Sequence, residues 1–476
     1  MSTQFETDYL VVGAGATALA FVDTILDETD ADVILVDRYD KPGGHWRVAY
    51  DHVRLHQPSE YYGVNSRPLG TGSIETDGYN AGLLELAGAD EIRNYFEKVV
   101  TEKFLPSGRV RYWPNSEYLG DGKVARIHSG ERLDVQPRRR TVDTTFMNIT
   151  VPSVAPPGYT VDPDVSLVAP NGLARLSHTY DRYVVIGGGK TAIDTVLWLL
   201  DRETPAHRIS WVVPRDAWLF NREICQPGAA FREISDAYGL ALAGAWLESS
   251  SLDELFDTLV DAKYLLCLSD DVRPTAFRCA TVTVAELDAL RKVDDVVRLG
   301  RVLEVNPRGL VLEGGTRELD GDVLYVDCTA DGLARVAPVP VFQPGLVTLQ
   351  PVFFCQQVYS AAFIAHVEAR ADDDQTKNAL TAVVPHPYDP VDYLRSGLVN
   401  FRNEVLWSQD PEIVQWRQDA RLAGIATRVG TPLPPAGPER DETLVMIRDH
   451  LAALIAKAEK LLGGIDAPRE TVGAET

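Results

Sequence analysis

YLVVGAGATALA, residues 9–20, decides the fold of this chain, and a stretch of the same design, YVVIGGGKTAID, follows at residues 183–194. Each is a short apolar strand that runs into a glycine-rich turn and then into an apolar helix. The first glycine permits the sharp turn, the second lets a pyrophosphate approach the backbone, and a small third residue lets the helix pack on the strand. These positions are Gly13, Gly15 and Ala18 in the first stretch and Gly187, Gly189 and Ala192 in the second. Because a pyrophosphate binds at a helix N-terminus, the two turns predict a chain that binds two dinucleotides.

The residues after the first turn indicate which dinucleotide binds there. VILVDRYD, residues 33–40, is a second strand that ends in Asp37, and Arg38 follows it. A carboxylate at this position accepts hydrogen bonds from an adenosine ribose and repels a 2′-phosphate, so FAD or NAD is expected rather than NADP. KPGGHW follows at residues 41–46, and its glycine pair predicts a further close approach to a long ligand by Gly44, His45 and Trp46. Trp46 fits either a ligand contact or the protein core.

The second unit differs from the first at the corresponding strand end. The strand predicted at residues 209–213 is followed by Arg215 and Asp216, and Arg222 lies a few residues further on. An arginine here pairs with a 2′-phosphate in a forked geometry, so this site is expected to bind NADPH. Asp216 leaves open the alternative of a ribose contact. Lys190 and Thr191, at the start of the second helix, are also predicted to contact this nucleotide.

Composition excludes several classes of partner. The chain has 476 residues, enough for two or three domains, with 45% hydrophobic and 24% charged residues, as in ordinary soluble proteins. A net charge of −23 argues against nucleic-acid binding and against anionic membrane surfaces. We find no apolar run of the ~18–20 residues that would span a bilayer, and no secretory signal in MSTQFETD. A cytoplasmic protein is expected, and a homo-oligomer stays open.

The five cysteines are scattered along the sequence at Cys225, Cys267, Cys279, Cys328 and Cys355. No C-x-x-C or C-x-x-x-x-C spacing occurs, so reduced thiols are expected. A dithiol relay of the kind used by flavin disulfide reductases, and a zinc cluster, are not expected from this spacing.

In its order of motifs the chain resembles the flavin-containing monooxygenase superfamily, taken broadly to include N-hydroxylating and Baeyer–Villiger enzymes. The matching elements are the first glycine turn with Asp37, GGHW at residues 43–46, and the second glycine turn with Asp194. DCTADG at residues 327–332 is similar to the D-x-A-T-G element of that family and makes Asp331 a predicted cofactor contact. The resemblance covers roughly residues 5–335.

Two elements depart from that family. Its F-x-G-x-x-x-H-x-x-x-W/Y/F fingerprint is replaced by VAPNGL at residues 168–173, and His178 comes too late to take the place of the fingerprint histidine. This counts against Baeyer–Villiger chemistry. The T-N-S element near the flavin ring is replaced by LHQPS at residues 55–59, which we call the 55–59 loop.

The resemblance implies FAD on the first unit and NADPH on the second. NADPH would reduce the flavin, and dioxygen would add at the flavin C4a position, giving a hydroperoxide that oxygenates a small molecule, with N-oxidation as one option. His56 and Gln57 are the predicted catalytic residues, Gln57 because its amide supplies a hydrogen-bond donor. Two alternatives stay open: an NADPH-linked flavin reductase or dehydrogenase without oxygen insertion, and a non-catalytic flavin- or nucleotide-binding protein.

The expected fold is α/β, with two Rossmann-like dinucleotide-binding domains and a helical C-terminal region. The FAD domain is predicted to be discontinuous, at residues 1–155 and 320–400, with the NADPH domain inserted at 175–319 and the helical region at 401–476. The strand VLYVD, residues 323–327, is expected to return the chain to the first sheet. Helices are predicted at residues 252–270, 283–293, 355–370, 390–406, 409–422 and 439–462. The helix after Pro351 carries Gln356 and Gln357 at its head and either lines the flavin ring or is simply buried.

Overall fold

The first sheet contains the first glycine turn at the end of its long N-terminal strand. The structure is a computed structural model that describes residues 3–330, 332–424 and 432–466. Strand Thr3–Val12 lies between Val33–Val36 and Arg132–Asp143 and pairs in parallel with both. The sheet order is Phe342–Gln343, Leu346–Thr348, Arg132–Asp143, Thr3–Val12, Val33–Val36 and Val110–Trp113, with Ser116–Gly120 and Lys123–Arg126 attached as a hairpin. The two predicted strands of the first unit are confirmed.

The second sheet has the same design around the second glycine turn. Its order is Asp295–Val297, Ile209–Val212, Arg182–Ile186, Val323–Asp327 and Ser166–Val168, and every pairing is parallel. The α/β fold with two Rossmann-like units is therefore confirmed. Smaller sheets are formed by Ala217–Asn221, Leu265–Leu266 and Ala276–Val282, by Thr160–Val161, Val302–Asn306, Gly309–Leu312 and Gly315–Glu318, and by Ile149–Thr150 with Gly332–Leu333.

The strand Val323–Asp327 corrects one expectation. It pairs with Arg182–Ile186 in the second sheet, so the prediction that it returns the chain to the first sheet is wrong. The chain rejoins the first sheet only at Phe342–Gln343, and a domain boundary at residue 320 would separate this strand from its own sheet. An apolar strand that is buried on both faces fits either parallel sheet, so its sequence pattern did not distinguish them.

The helices, in chain order, are α1 Ala16–Glu28, α2 Ala89–Lys98, α3 Pro170–Leu173, α4 Lys190–Asp201, α5 Arg232–Glu248, α6 Leu252–Asp261, α7 Val284–Leu290, α8 Gln357–Arg370, α9 Asp374–Leu380, α10 Pro390–Trp407, α11 Pro411–Asp419 and α12 Pro438–Asp466. The predicted helices at 355–370, 390–406 and 439–462 are confirmed as α8, α10 and α12. The prediction at 252–270 is wrong in its second half, because α6 ends at Asp261 and Leu265–Leu266 is a strand. Among the described helices, none has the length and apolar character that crossing a bilayer requires.

The packing of α8 and of the C-terminal helices shows which unit each of them contacts. Helix α8 lies against α1 in the core of the first unit, where Phe363 and Phe21 are both fully buried. The C-terminal helices α10 and α12 pack instead against α5 of the second unit, with Tyr393 near Trp246. The helical C-terminal region therefore contacts both units, because Trp407 at the end of α10 and Ile413 of α11 lie with α8 in the core of the first unit.

The cysteines do not all remain separate. Cys279 and Cys355 form a disulfide with a Cα–Cα distance of 6.1 Å, so the expectation of reduced thiols throughout is wrong for this pair. Cys225, Cys267 and Cys328 are free and buried. The two bonded cysteines are 76 residues apart and meet only through the fold, which is why spacing along the sequence did not reveal them.

Candidate flavin and nucleotide site

The first glycine turn has no room for larger side chains at its start. Gly13 has φ +97°, and a Cβ added there would lie 2.5 Å from Thr144 Oγ1. Gly15 has ordinary extended backbone, and among residues that the structure describes a Cβ there would meet only Gly44 Cα, at 3.7 Å. Helix α1 begins behind Gly15 with no side-chain cap and no acidic residue in its first turn. Its N-terminal N–H groups therefore suit an anionic ligand such as a pyrophosphate.

Asp37 supports this turn from the end of the neighbouring strand. Its Oδ2 accepts a hydrogen bond from the Ala14 N–H at 2.5 Å, and its Oδ1 accepts one from the Tyr39 N–H at 2.7 Å. Burial raises the pKa of this carboxyl, against the opposing effect of the two hydrogen bonds. Each oxygen keeps a further lone pair, so ribose hydroxyls can still donate to it. Arg38 is exposed and lies over the Tyr39 ring, 5.3 Å from its centroid.

The second glycine pair closes against the same turn. The Gly43 N–H donates to the Ala14 carbonyl at 2.8 Å, and a Cβ on Gly44 would lie 2.9 Å from Gly15 Cα. His45 is half-buried, and desolvation lowers its pKa to about 4, so the ring is neutral near pH 7. Trp46 is buried in the core and its Nε1 donates to Tyr62 Oη at 2.7 Å. Of the two roles left open for Trp46, the structure places it in the core.

The second glycine turn repeats the geometry of the first. Gly187 has φ +133°, and a Cβ there would lie 2.6 Å from the Cys328 carbonyl oxygen. A Cβ on Gly189 would meet nothing within 4 Å among the described residues. Helix α4 begins behind Gly189, again with no side-chain cap and no acidic residue in its first turn. Both turns thus leave a bare helix N-terminus that can bind a phosphate.

Arg215 and Asp216 lie at the strand end of the second unit with different surroundings. Asp216 is buried and forms a forked ion pair with Arg298, with distances of 2.8 and 3.1 Å. Arg215 is exposed, and its carbonyl oxygen lies 3.4 Å from a Cβ built on Gly188. Because Arg298 already occupies the Asp216 carboxylate, this arrangement favours Arg215 as a phosphate contact. Arg298 was missed in the sequence because it arrives from a separate edge strand.

Arg222 lies away from this strand end. Its guanidinium is fully buried and donates to the His56 carbonyl at 2.9 Å, to Asn80 Oδ1 at 3.0 Å and to Glu286 Oε2 at 2.7 Å. With these partners it links the second unit to the 55–59 loop. Because these partners occupy its guanidinium, Arg222 lies outside the proposed NADPH site. Its closeness to Arg215 in the sequence gave no information on this buried network.

The two turns meet through the segment that follows Gly44. Tyr50 Oη donates to Asp194 Oδ2 at 2.7 Å, and the Thr191 side chain also hydrogen-bonds Tyr50. Lys190 forms an ion pair with the other oxygen of the same carboxylate. Tyr50, which follows the first glycine turn and the Gly43–Gly44 pair, thus binds the start of helix α4 behind the second glycine turn. Lys190 is engaged in this contact, whereas the sequence predicted it to bind nucleotide.

His56 and Gln57 are held by contacts from two distant parts of the chain. His56 Nδ1 accepts a hydrogen bond from the Thr281 N–H at 3.2 Å, so in the neutral ring the proton lies on Nε2. Burial, with Lys190 and Arg222 nearby, lowers the His56 pKa to about 3. Gln57 Oε1 accepts from Gln356 Nε2 at 3.2 Å. His56 is therefore a neutral hydrogen-bond donor, and its loop is fixed from both sides.

The head of α8 carries two unpaired amide atoms beside Gln57. Gln356 Oε1 and Gln357 Nε2 are buried, and neither has a hydrogen-bond partner among the described residues. Buried polar atoms are normally paired, and an unpaired one costs about 1–3 kcal/mol, so each such atom needs an explanation. One acceptor and one donor at this position match the alternating donor and acceptor groups on the edge of an isoalloxazine ring. The residues present fit a flavin.

Two other predicted elements do not contribute to this site. His178 is exposed and lies 3.2 Å from Asp322, so it does not replace the missing fingerprint histidine. Asp331 lies outside the described residues.

Comparison with known proteins finds relatives of this chain in mycobacteria. No protein-family model matches it. It is 45% identical over 469 residues to an uncharacterized protein of Mycobacterium tuberculosis, covering 98% of this chain and 86% of that protein. This chain belongs to the same family as that mycobacterial protein.

Among solved structures, the chain is similar to the polycyclic ketone monooxygenase from the fungus Thermothelomyces thermophila. Their TM-score is 0.49 at 14% identity, over 96% of this chain and 90% of that one. It is also similar to a flavin-containing monooxygenase from Stenotrophomonas maltophilia, with a TM-score of 0.41 at 14% identity, over 77% of this chain and 98% of that one.

Proposed function

We propose that this protein is an FAD- and NADPH-dependent monooxygenase that oxygenates a small molecule with dioxygen. One observation carries the proposal: each unit has a bare helix N-terminus behind a glycine turn, and the Tyr50–Asp194 hydrogen bond joins the segment after Gly44 to the helix of the second turn. That contact supports an arrangement in which a nicotinamide on the second unit reaches a flavin on the first.

The binding residues divide between the two units. Gly13, Gly15, Asp37 and Gly44 would hold FAD, with Ala18 fully buried where α1 packs on its strand. Gly187, Gly189 and Arg215 would hold NADPH. When bound, FAD supplies two-electron transfer and the reaction with dioxygen.

The chain's own polar groups would orient the ring and protect the reaction from water. Gln356 and Gln357 present the unpaired acceptor and donor to the ring edge. The neutral His56 donates a hydrogen bond from Nε2, and Gln57 is fixed by Gln356. Such fixed donors stabilise developing negative charge on oxygen better than mobile water does. We propose a small-molecule substrate, with an amine nitrogen as the oxidised atom.

Two clean glycine variants test the cofactor sites separately. Gly15→Ala and Gly189→Ala both keep allowed backbone angles and meet no atom of the described part of the chain closer than 3.7 Å, so we expect the fold to be preserved. Each added methyl group lies where a pyrophosphate must approach. We expect Gly15→Ala to weaken FAD retention and Gly189→Ala to weaken NADPH binding, each about tenfold, or roughly 1.4 kcal/mol. Flavin absorbance and nucleotide titration measure the two effects.

Gly239→Ala in the middle of α5 is the matched control, because its added Cβ meets no atom of the described residues within 4 Å. The oxygenation step itself is tested with ¹⁸O₂, NADPH and two probe molecules, trimethylamine and cyclohexanone. Labelled amine oxide is the expected product. A wild-type protein that takes up no FAD, or one that oxidises NADPH but labels neither probe, would contradict the proposal.

A further inference from the structure

The Cys279–Cys355 disulfide joins two parts of the chain that both contact the 55–59 loop. Cys279 lies on strand Ala276–Val282, and Cys355 lies just before α8. Thr281, two residues beyond Cys279, donates to His56. Gln356, the neighbour of Cys355, donates to Gln57. Each cysteine is thus within two residues of a direct contact with the loop that we assign to the flavin.

The surroundings of the pair favour a reactive thiol over an inert crosslink. Cys355 has φ +57°, a left-handed conformation that is uncommon outside glycine and is concentrated at functional sites. It immediately precedes the N-terminal end of α8, and the positive end of a helix stabilises a thiolate. Both cysteines are half-buried, whereas the three free cysteines are buried.

His386 completes the cluster. Its Nδ1 lies 3.7 Å from Cys279 Sγ, and it faces positive charge from Arg278 and Arg335. With burial, these charges lower the His386 pKa to about 4, so the ring is neutral near pH 7 and can accept a hydrogen bond from a thiol. Nearby arginines favour the thiolate form of a cysteine.

We propose that Cys279 and Cys355 form a second redox centre that exchanges two electrons with the bound flavin. This inference rests on the proposed function, which supplies NADPH as the electron donor. The disulfide accepts two electrons and two protons, its S–S bond breaks, and two thiols form. The reduced flavin loses the same two electrons and two protons and returns to FAD. The loaded enzyme therefore holds four electrons, two on the flavin and two on the dithiol.

An anaerobic titration of the FAD-loaded protein with NADPH tests this directly. A disulfide is a two-electron couple, so complete flavin reduction in the wild type should need about two equivalents of NADPH per FAD. Titratable thiols in the unfolded product should rise from the three free cysteines to all five. The double variant Cys279→Ser/Cys355→Ser should need about one equivalent, with thiols constant at three.

Cys267→Ser is the matched control, because it removes a thiol outside the pair and should still need about two equivalents. If the double variant does not fold, the thiol count of the wild type alone decides, measured by alkylation before and after reduction.

Flavin bleaching at one equivalent of NADPH with three thiols throughout would overturn the redox centre while leaving the proposed function intact. Stoichiometric zinc with five thiols in the isolated protein would also overturn it, since the ligand atoms of Cys279, Cys355 and His386 lie within 4.8 Å of one another. If NADPH does not reduce the flavin, the proposed function fails instead, and a dithionite titration counts the electrons that the flavin and disulfide share.

Discussion

Single residues at the ends of two neighbouring strands of the second sheet set the proposed choice between NADPH and NADH. Arg298 forms an ion pair with Asp216, so the Asp216 carboxylate is already engaged and is not available to a ribose. Arg215 is exposed beside the glycine turn. The two arginines therefore have different roles. Arg298 pairs with the Asp216 carboxylate, and Arg215 is available to bind a 2′-phosphate.

Arg215→Gln should separate the two nucleotides. Loss of a charge-assisted contact with the 2′-phosphate is expected to raise the Kd for NADPH by roughly 10- to 100-fold, or about 1.4–2.8 kcal/mol. The Kd for NADH should not change, because NADH has no phosphate at that position. Nucleotide titrations of the isolated protein measure both values. An equal loss for both nucleotides would place Arg215 outside the phosphate contact.

Three half-buried histidines predict how stability depends on pH. Burial lowers the pKa of His45 and His52 to about 4 and that of His56 to about 3, against 6.5 in model compounds. Between pH 6.5 and 4 the unfolded chain binds protons at these sites and the folded chain does not. The free energy of unfolding should therefore fall as pH drops through this window, by at most about 1.4 kcal/mol per pH unit for each histidine.

Urea unfolding of the cofactor-free protein at pH 7, 6 and 5 measures this slope. His45→Gln should make it shallower, while His128→Gln, at an exposed position, should leave it unchanged. Equal slopes in wild type and His45→Gln would show that His45 does not contribute.

At the scale of elements, the strand–turn–helix units were predictable because each is a local pattern. Glycine spacing, an apolar strand and an apolar helix all lie within one short stretch, and both units appear where expected. The sheet of Val323–Asp327 was not predictable in the same way, since its apolar residues suit any buried parallel strand. The same holds for the site: His56 and Gln57 could be named, but not Arg298 or the disulfide, which depend on contacts between remote segments.

The contact between the segment after Gly44 and helix α4 is expected to matter for electron transfer. Tyr50→Phe removes the hydroxyl that donates to Asp194 and leaves the Lys190 ion pair in place. FAD content should stay normal, and anaerobic flavin reduction by NADPH should slow several-fold, because the two units lose a hydrogen bond that fixes their alignment. Stopped-flow absorbance gives the rate. Tyr118→Phe, in the edge hairpin of the first sheet, is the control, and an unchanged rate in Tyr50→Phe would contradict this role.

At the scale of the whole molecule, Arg222 connects the second unit to the 55–59 loop through its ion pair with Glu286 and its hydrogen bond to the His56 carbonyl. Arg222→Met would leave the Glu286 carboxylate buried without its partner, and breaking a buried pair in this way costs about 3–5 kcal/mol. Thermal unfolding should show a large fall in Tm. Arg138→Met breaks an exposed ion-pair group on the first sheet and should cost little. Similar losses in both variants would mean that the Arg222 network does not hold the units together.

The placement of Gln356 and Gln357 has a consequence for synthesis. The first glycine turn leaves the ribosome before the amides at the head of α8, which follow more than three hundred residues later. Under the proposed function, a nascent chain can bind the adenosine end of FAD long before it can enclose the isoalloxazine ring. Firm retention of the cofactor is then a property of the finished polypeptide, and translation arrested before α8 would yield a protein that loses its flavin on dilution.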